Sequence, residues 1–180
     1  MKPATIRPAV REDEQRLREI AFAAKANWGY EHERVRTWVN TLRLFGNAAP
    51  RAEIHVAERA AQPIAWMRVI PCGAFCVLED LWVEPAWQRA GVGSTLFWLA
   101  QRRAHDLGAQ RLEWKAEPNA IGFYTRMGAR HIRDTPPNEW DRVLQVMAVD
   151  LVKEDAQGAP IAPVNDASGP SRRAAVADDG

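Results

Sequence analysis

Residues 75–93 read FCVLEDLWVEPAWQRAGVG, and this stretch indicates the fold. The apolar run over 75–83 is typical of a buried β-strand, and Pro85 ends it. A turn with two glycines follows over 88–93, and a helical pattern begins at about residue 92. A strand, a glycine turn and a helix in this order predict a parallel β-α-β unit, because parallel strands need a long crossover connection.

The pattern on both sides of this stretch supplies the elements of a larger sheet. Strands are predicted at 4–8, 53–58, 64–70, 75–83, 110–116, 130–133 and 142–151, and helices at about 13–24, 35–46, 92–107 and 119–127. Strand residues show a two-residue alternation or a continuous apolar run, and helix residues show an i, i+3, i+4 apolar stripe. This order predicts an α/β protein with a central mixed β-sheet flanked by helices.

The length of the chain suits one domain at 1–152 and a tail at 153–180. The tail is rich in Ala, Pro, Gly and Asp and has almost no large apolar residue. Such a segment buries too little surface to offset its ordering entropy. We therefore predict that residues 153–180 are disordered.

The bulk composition excludes several classes of protein. The net charge is +1, from 24 basic and 23 acidic side chains, which is unlike a dedicated nucleic-acid binder. No apolar run is long enough to span a membrane, and no apolar signal-peptide core follows Lys2, so a cytoplasmic location is expected. Cys72 and Cys76 are the only cysteines and have no cluster of histidines around them. We expect free thiols and no metal.

The glycine turn has the chemistry of a diphosphate site. The first amides of a helix lack partners within the helix, and its dipole places a partial positive charge there. A side chain at Gly91 or Gly93 would hold a phosphate away from the backbone, and Arg89 adds a cation. Leu96 excludes a dinucleotide fingerprint, and Ser94, where a P-loop needs lysine, excludes that loop. On their own, the glycines would also fit an ordinary strand-to-helix turn.

Three motifs in order resemble the GNAT superfamily of acetyl-CoA-dependent N-acetyltransferases. Residues 78–85 (LEDLWVEP) are similar to its strand before the loop, and their Leu-Glu-Asp run is similar to that of polyamine acetyltransferases. Residues 88–93 (QRAGVG) match its pyrophosphate loop, and residues 118–129 (PNAIGFYTRMGA) resemble its second cofactor motif. The resemblance covers about residues 4–151.

The resemblance implies an acetyl-CoA site in a gap between two splayed strands, one on each side of the loop helix. One backbone amide of residues 81–83 would polarise the thioester carbonyl, and Asn119 would hold the pantetheine arm. The implied cofactor-binding residues are Leu81, Trp82, Val83, Gln88, Arg89, Ala90, Gly91, Val92, Gly93, Ser94, Asn119 and Tyr124. The implied reaction is acetyl transfer to a primary amine by direct attack in a ternary complex. Family analogy also suggests a homodimer.

Acetyl transfer to an amine needs an acid for the leaving thiolate and a base for the ammonium. Tyr124 is the expected acid, and its alternative is a purely structural aromatic residue beside Phe123. Glu79 is the preferred base, because an acidic side chain inside an apolar strand is costly unless it has a function. Asp80 is the alternative base on the opposite face, and a bulge would exchange the two faces. Either carboxylate would equally suit an ion pair with a neighbouring strand, for example with Arg68.

Other candidate residues give weaker signals. Glu113 and Glu117 lie on or just after the next strand, but Trp114 stands where some relatives carry an acid. Trp28 and Tyr30 would suit the wall of an acceptor pocket, although packing is the commoner fate of aromatic residues. The histidines are scattered and receive no role. The residues that favour a cationic amine are acidic: Glu31, Glu33, Glu79 and Asp80.

Two alternatives to an enzyme stay open at this point. A non-catalytic module that senses acyl-CoA would keep the glycine turn but lose Tyr124 or the carboxylates, and all of these are present. An unrelated nucleotide-binding α/β protein would bind ATP or NAD in preference to acetyl-CoA. The acceptor amine is not identified by any motif, and a polyamine, an amino acid, an antibiotic, a peptide N-terminus and a lysine remain candidates.

Overall fold

The computed structural model describes residues 4–46, 51–138 and 140–151, so the predicted tail lies outside the described residues. Helices and strands follow each other in the predicted order. The strands are β1 (Thr5–Pro8), β2 (Glu53–Arg59), β3 (Gln62–Cys72), β4 (Phe75–Val83), β5 (Arg111–Ala116), β6 (Arg130–Asp134) and β7 (Gln145–Asp150). The helices are α1 (Glu14–Ala26), α2 (His32–Thr41), α3 (Val92–Asp106) and α4 (Ile121–Arg126), with short 3-10 turns at 11–13, 85–87 and 118–120.

The described strands form one mixed sheet in the order β1-β2-β3-β4-β5-β7-β6. All neighbours are antiparallel except β4 and β5, which are parallel and are joined through α3. The expected mixed α/β sheet is therefore confirmed. The second helix was predicted to reach Gly46-Asn47, but α2 ends at Thr41, because Leu42 adopts an extended backbone with ψ 122°.

Each face of the sheet carries its own apolar core. The core on one face contains the α3 stripe of Leu96, Phe97, Ala100 and Ala104, together with Tyr124. On the other face, the stripes of α1 and α2 pack against Trp66 and Trp82. The residues at and just after the end of α1 lie close to the end of β4, where the ring centroids of Trp28 and Trp82 are 5.7 Å apart. Among the described residues, no helix is both long and apolar enough to cross a membrane.

The feature that creates the site is the separation of β4 from β5. Only three residue pairs join them, Phe75–Arg111, Cys76–Leu112 and Val77–Glu113. Beyond Val77 the two strands diverge, so the rest of β4 has a strand partner on its β3 side only. Backbone polar groups along this edge of β4 are available to a ligand.

A β-bulge lies in β4 beside this gap. Arg68 of β3 is opposite Asp80, but its neighbour Val69 is opposite Leu78, so Glu79 is the extra residue. The bulge interrupts the side-chain alternation, as bulges do. Leu78 packs into the α3 side of the core, whereas Asp80 lies beside Trp82 on the α1 side.

Candidate active site

A cavity of about 660 Å³ occupies the gap between β4 and β5. Residues of β4, β5, the start of α3 and α4 line it, and Ala24 and Trp28 close it on the α1 side. Most of the predicted site residues meet here: Glu79, Asp80, Leu81, Trp82, Val83, Gln88, Arg89, Gly91, Gly93, Ser94, Asn119 and Tyr124. The side chains of Ala90 and Val92 do not line the cavity; Ala90 is exposed, and Val92 packs against the core.

The glycine turn presents the N-terminus of α3 to the cavity. Gly91 is the N-cap and has φ 83°, a left-handed conformation that glycine adopts without strain. A Cβ added at Gly93 would lie 3.4 Å from Val83 Cγ2 and 3.8 Å from the ring of Phe123. The two glycines therefore differ: Gly91 permits the left-handed bend of the chain, whereas Gly93 has room for a Cβ at ordinary contact distance but not for a larger side chain without rearrangement.

Gln88 has a structural contact that the sequence did not predict. Its side-chain amide donates a 3.2 Å hydrogen bond to the carbonyl of Val83, the last residue of β4. This bond holds the glycine turn against the end of the strand. The basic side chains that line the cavity are Arg89, Lys115 and Arg126, and cations of this kind suit phosphate groups.

Replacing Gly93 with valine is expected to weaken acetyl-CoA binding by at least about tenfold. The branched side chain would push α3 away from Val83 and Phe123 and move the helix amides that a phosphate needs. Gly91→Val should have a similar effect through its positive φ. Titration calorimetry on folded variants measures the change, with Gly108→Ala, at the far end of α3, as the control for a left-handed glycine. Unchanged affinity would remove the turn from the site.

Tyr124 is held by aromatic contacts and is 7% exposed. Its ring lies 4.6 Å from that of Trp114 and 5.5 Å from that of Phe97, measured between centroids. Burial, together with the negative charge of Asp80, raises the pKa of Tyr124 well above its usual range. The phenol is therefore protonated at neutral pH, and Tyr124 lines the cavity. Asn119, in the short turn before α4, also lines the cavity and is exposed.

Glu79 is exposed, which corrects the expectation of a carboxylate enclosed in an apolar strand. The bulge turns its side chain out of the alternation, so it costs no burial energy. Glu79 lines the cavity and makes no ion pair among the described residues. Glu79 therefore lies at the gap, as predicted, but the burial argument that led to it does not apply; its role as the base stays a prediction.

Asp80 is committed to an ion pair on the α1 side of the sheet. Its Oδ2 accepts hydrogen bonds from the Arg68 guanidinium at 2.7 and 2.8 Å, and its Oδ1 accepts one from the Trp82 indole at 2.8 Å. Burial raises the pKa of Asp80, and Arg68 and Trp82 oppose that shift. The structural alternative considered for this carboxylate, a bond to Arg68, is the arrangement observed.

A polar cluster behind the cavity has no counterpart in the sequence motifs. Glu117 lines the cavity, and its two carboxylate oxygens accept bonds of 2.8 Å from Lys25, Tyr30 and Arg142. Burial favours the neutral carboxyl, but Lys25 and Arg142 outweigh it and lower the pKa of Glu117. Glu117 is therefore a poor proton acceptor.

Lys25 itself is 5% exposed and is surrounded by aromatic rings. Its Nζ lies 4.1 Å from the ring centroid of Trp38 and 4.5 Å from that of Trp140, with Tyr30 and Trp82 slightly farther away. Cation–π attraction and the bond to Glu117 compensate for the loss of hydration of this ammonium. The apolar stripe of α1 predicted the helix but could not reveal these partners, which lie far away in the sequence.

The remaining candidates fall outside the cavity. Glu113 is buried between Arg111 and Arg133 on the next strand. Glu31 and Glu33 are exposed on the α2 side and do not line the cavity, so the expected acidic group around the acceptor is not assembled. No group of three or more potential metal ligands occurs within residues 4–46, 51–138 and 140–151.

A CoA-type molecule fits the chemistry of this cavity. The unpaired edge of β4 and the first amides of α3 are donors and acceptors for a long polar arm and a diphosphate. Trp114 lines the same cavity, and its indole N–H is buried without a hydrogen-bond acceptor among the described residues. A ligand carbonyl or a water molecule would satisfy it.

Comparisons with known proteins agree with this chemistry. Residues 10–129 match the model of the acetyltransferase (GNAT) family. The fold resembles a GCN5-related N-acetyltransferase from Rhodopseudomonas palustris, with TM-score 0.67 and 20% identity over 84% of this chain and 98% of that one. It also resembles the PaiA N-acetyltransferase from Thermoplasma acidophilum in complex with coenzyme A, with TM-score 0.66 and 16% identity over 83% and 99%.

A third solved structure, a ribosomal-protein alanine N-acetyltransferase from Escherichia coli, has TM-score 0.64 and 18% identity over 85% of this chain and 97% of that one. At these identities the likeness concerns the fold. Only the third neighbour has a name that states what it acetylates, and a shared fold does not transfer a substrate, so the acceptor of this chain has to be argued from its own residues.

Proposed function

Because the chain belongs to the acetyltransferase (GNAT) family of acyltransferase enzymes, we propose that it transfers the acetyl group of acetyl-CoA to a primary amine. The amine attacks the thioester directly while both substrates are bound. The observation that carries this proposal is the gap between β4 and β5, which is continuous with the open N-terminus of α3. In this reaction the new N–C bond replaces the C–S bond, and no oxidant or reductant is needed.

The residues of the gap divide the work between them. Backbone groups of Leu81, Trp82 and Val83 hold the pantetheine arm and polarise the thioester carbonyl. The amides from Gly91 to Ser94, with Arg89, hold the diphosphate. Asn119 supports the arm from the α4 side. Acetyl-CoA, when bound, supplies an acetyl group that is activated as a thioester. The residues of the gap position this group for attack.

Two side chains handle the protons. Tyr124 lines the cavity and donates its phenol proton to the sulfur of the leaving thiolate, so that coenzyme A leaves as a thiol. Glu79 takes the proton of the acceptor ammonium, directly or through a water molecule. We favour Glu79 over Asp80 because Asp80 is held by Arg68 and Trp82, whereas Glu79 is exposed in the cavity.

A screen of amines with acetyl-CoA tests the proposal, with release of free thiol as the readout. We expect thiol release that depends on an amine and forms one amide per thiol. Acetyl-CoA should raise the melting temperature, because a ligand of the native state stabilises it. A rise in melting temperature without thiol release from any amine would instead indicate a sensing module. A rise with ATP or NAD alone would contradict the proposed co-substrate.

Glu79→Gln is expected to lower kcat/KM at neutral pH and to recover as pH rises. Glutamine keeps the size of the side chain but takes no proton, so the enzyme then depends on free amine in solution. Free amine becomes abundant as pH approaches the pKa of the amine, and the deficit should shrink there. Full pH–rate profiles measure this, with Glu84→Gln, outside the cavity, as the matched control. An equal deficit at every pH would argue against Glu79 as the base.

A further inference from the structure

The cavity wall that faces α1 is aromatic. We call Ala24, Trp28 and Trp82 the indole wall, since all three line the cavity and the two indole rings lie 5.7 Å apart. Trp38 supports Trp82 from behind at 5.3 Å. A wall of this kind offers a flat apolar body both burial and ring stacking.

The charges around the cavity leave one carboxylate unpaired. Three carboxylates line it, and Asp80 and Glu117 are already neutralised, the first by Arg68 and the second by Lys25 and Arg142. Glu79 alone among these three has no cation partner within the described residues. The cavity therefore has one place for one ammonium group.

The surroundings of Glu117 also oppose a second ammonium. Two cations, Lys25 and Arg142, bind this single carboxylate, so the cluster behind the indole wall carries a net positive charge. Lys25 is fixed there by Trp38 and Trp140 and cannot swing away into solvent without losing these contacts. A second ammonium near the wall would meet like charge in a partly desolvated site, where the repulsion is weakly screened.

We propose that the acceptor is a monoamine on a flat apolar body, of the arylalkylamine kind, and not a diamine or polyamine. This inference rests on the proposed acetyl transfer and names the substrate class of the same site. The indole wall takes the apolar body, and Glu79 takes the single ammonium. The Leu-Glu-Asp run that resembles polyamine acetyltransferases then reflects the chemistry of the strand and not the choice of amine.

A matched pair of amines tests the proposal. Phenethylamine and cadaverine are both primary amines. Phenethylamine carries a phenyl ring, whereas cadaverine carries a second ammonium group in its place. We expect kcat/KM for phenethylamine to exceed that for cadaverine by about 10- to 100-fold, the range that burial of one phenyl ring supplies. Equal values, or a preference for cadaverine, would overturn the proposal.

Direct binding separates this inference from the proposed function. Calorimetric titration of both amines into the protein with coenzyme A present should show tighter binding of phenethylamine. If neither amine is acetylated but phenethylamine binds more tightly, the substrate class stands and the transfer reaction fails. If acetyl transfer occurs and cadaverine binds as well as phenethylamine, the reaction stands and the substrate class fails.

Variants locate the preference at the indole wall. Trp28→Ala should remove most of the preference for phenethylamine while acetyl-CoA affinity is retained, and Trp28→Phe, which keeps a ring, should preserve much of it. The control is Trp98→Ala on the outer surface of α3, where the side chain is 59% exposed and outside the cavity; its ratio should not change. A folded Trp28→Ala variant with an unchanged ratio would contradict the assignment.

Discussion

Replacing Tyr124 with phenylalanine is expected to lower kcat by about 10²- to 10⁴-fold, the usual contribution of a positioned acid. The ring contacts with Phe97, Trp114 and Phe123 survive in this variant, so acetyl-CoA affinity should change little. A raised pKa means that the phenol is protonated at all pH values below it. Wild-type kcat should therefore show no fall between pH 8 and pH 10 from this group, and the deficit of the variant should not recover there.

The chain contains only one other tyrosine, which provides a matched control. Tyr30→Phe removes a hydroxyl that donates to Glu117 behind the cavity. Its effect on kcat should be far smaller, because that hydroxyl does not line the cavity. If Tyr124→Phe and Tyr30→Phe reduce kcat equally, or not at all, the leaving thiolate obtains its proton from another source. Steady-state kinetics and calorimetry on the same preparations decide between these outcomes.

Replacing Arg68 with methionine is expected to destabilise the protein by about 3–5 kcal/mol at neutral pH. The change leaves the Asp80 carboxylate buried, with the Trp82 indole as its remaining donor among the described residues. Burial already raises the pKa of Asp80, and loss of the opposing guanidinium raises it further. When the pKa of a carboxyl is higher in the folded state than in the unfolded state, the protein loses stability as pH rises through that pKa. The loss of stability in Arg68→Met should therefore be largest at high pH and should shrink in acid.

The double variant Arg68→Met, Asp80→Asn distinguishes charge from packing. Asparagine keeps an acceptor for Trp82 but carries no charge, so most of the lost stability should return. This variant should also retain acetyl transfer, since Asp80 is not the proposed base; its complete inactivity would move that role from Glu79 to Asp80. Arg130→Met breaks the exposed pair with Asp150 and serves as the control, with an expected loss well below 1 kcal/mol. Thermal and denaturant unfolding of the wild type and the three variants measure these differences.

The sheet could be predicted largely from the sequence because its signals are local. The alternation in β2, the apolar run of β4 and the stripe of α3 each depend on neighbouring residues. The glycine turn was found for the same reason, although the sequence could not show that Gly91 has a positive φ and that Gly93 does not. The helix end at Thr41 was missed because apolar residues continue past it, with Leu42 and Leu44 buried outside the helix.

The side-chain environment of the site could be predicted only in part. The possibility of a bulge was recognised, but its position at Glu79 depends on the pairing with β3, which no local pattern reveals. The cluster of Lys25, Glu117 and Arg142 joins three segments that are far apart in the chain. From the sequence alone, a lysine on an amphipathic helix such as Lys25 is expected at the surface. Only the fold shows that Trp38 and Trp140 enclose it.

The short contact between β4 and β5 leaves the two parts of the sheet joined by few backbone hydrogen bonds. Strands β1–β4 form one part and β5, β7 and β6 the other, and three residue pairs join them at one end. A ligand that forms hydrogen bonds with the open edges of β4 and β5 joins the two parts of the sheet. The same hydrogen bonds then contribute to the affinity of the ligand and to the free energy of unfolding of the protein. At a ligand concentration of about 100 times Kd, this linkage adds roughly 2.7 kcal/mol. The time for which the protein stays folded in a cell would then depend on the concentration of its ligand. A variant that does not bind the ligand would be degraded faster, even though its core packing is unchanged.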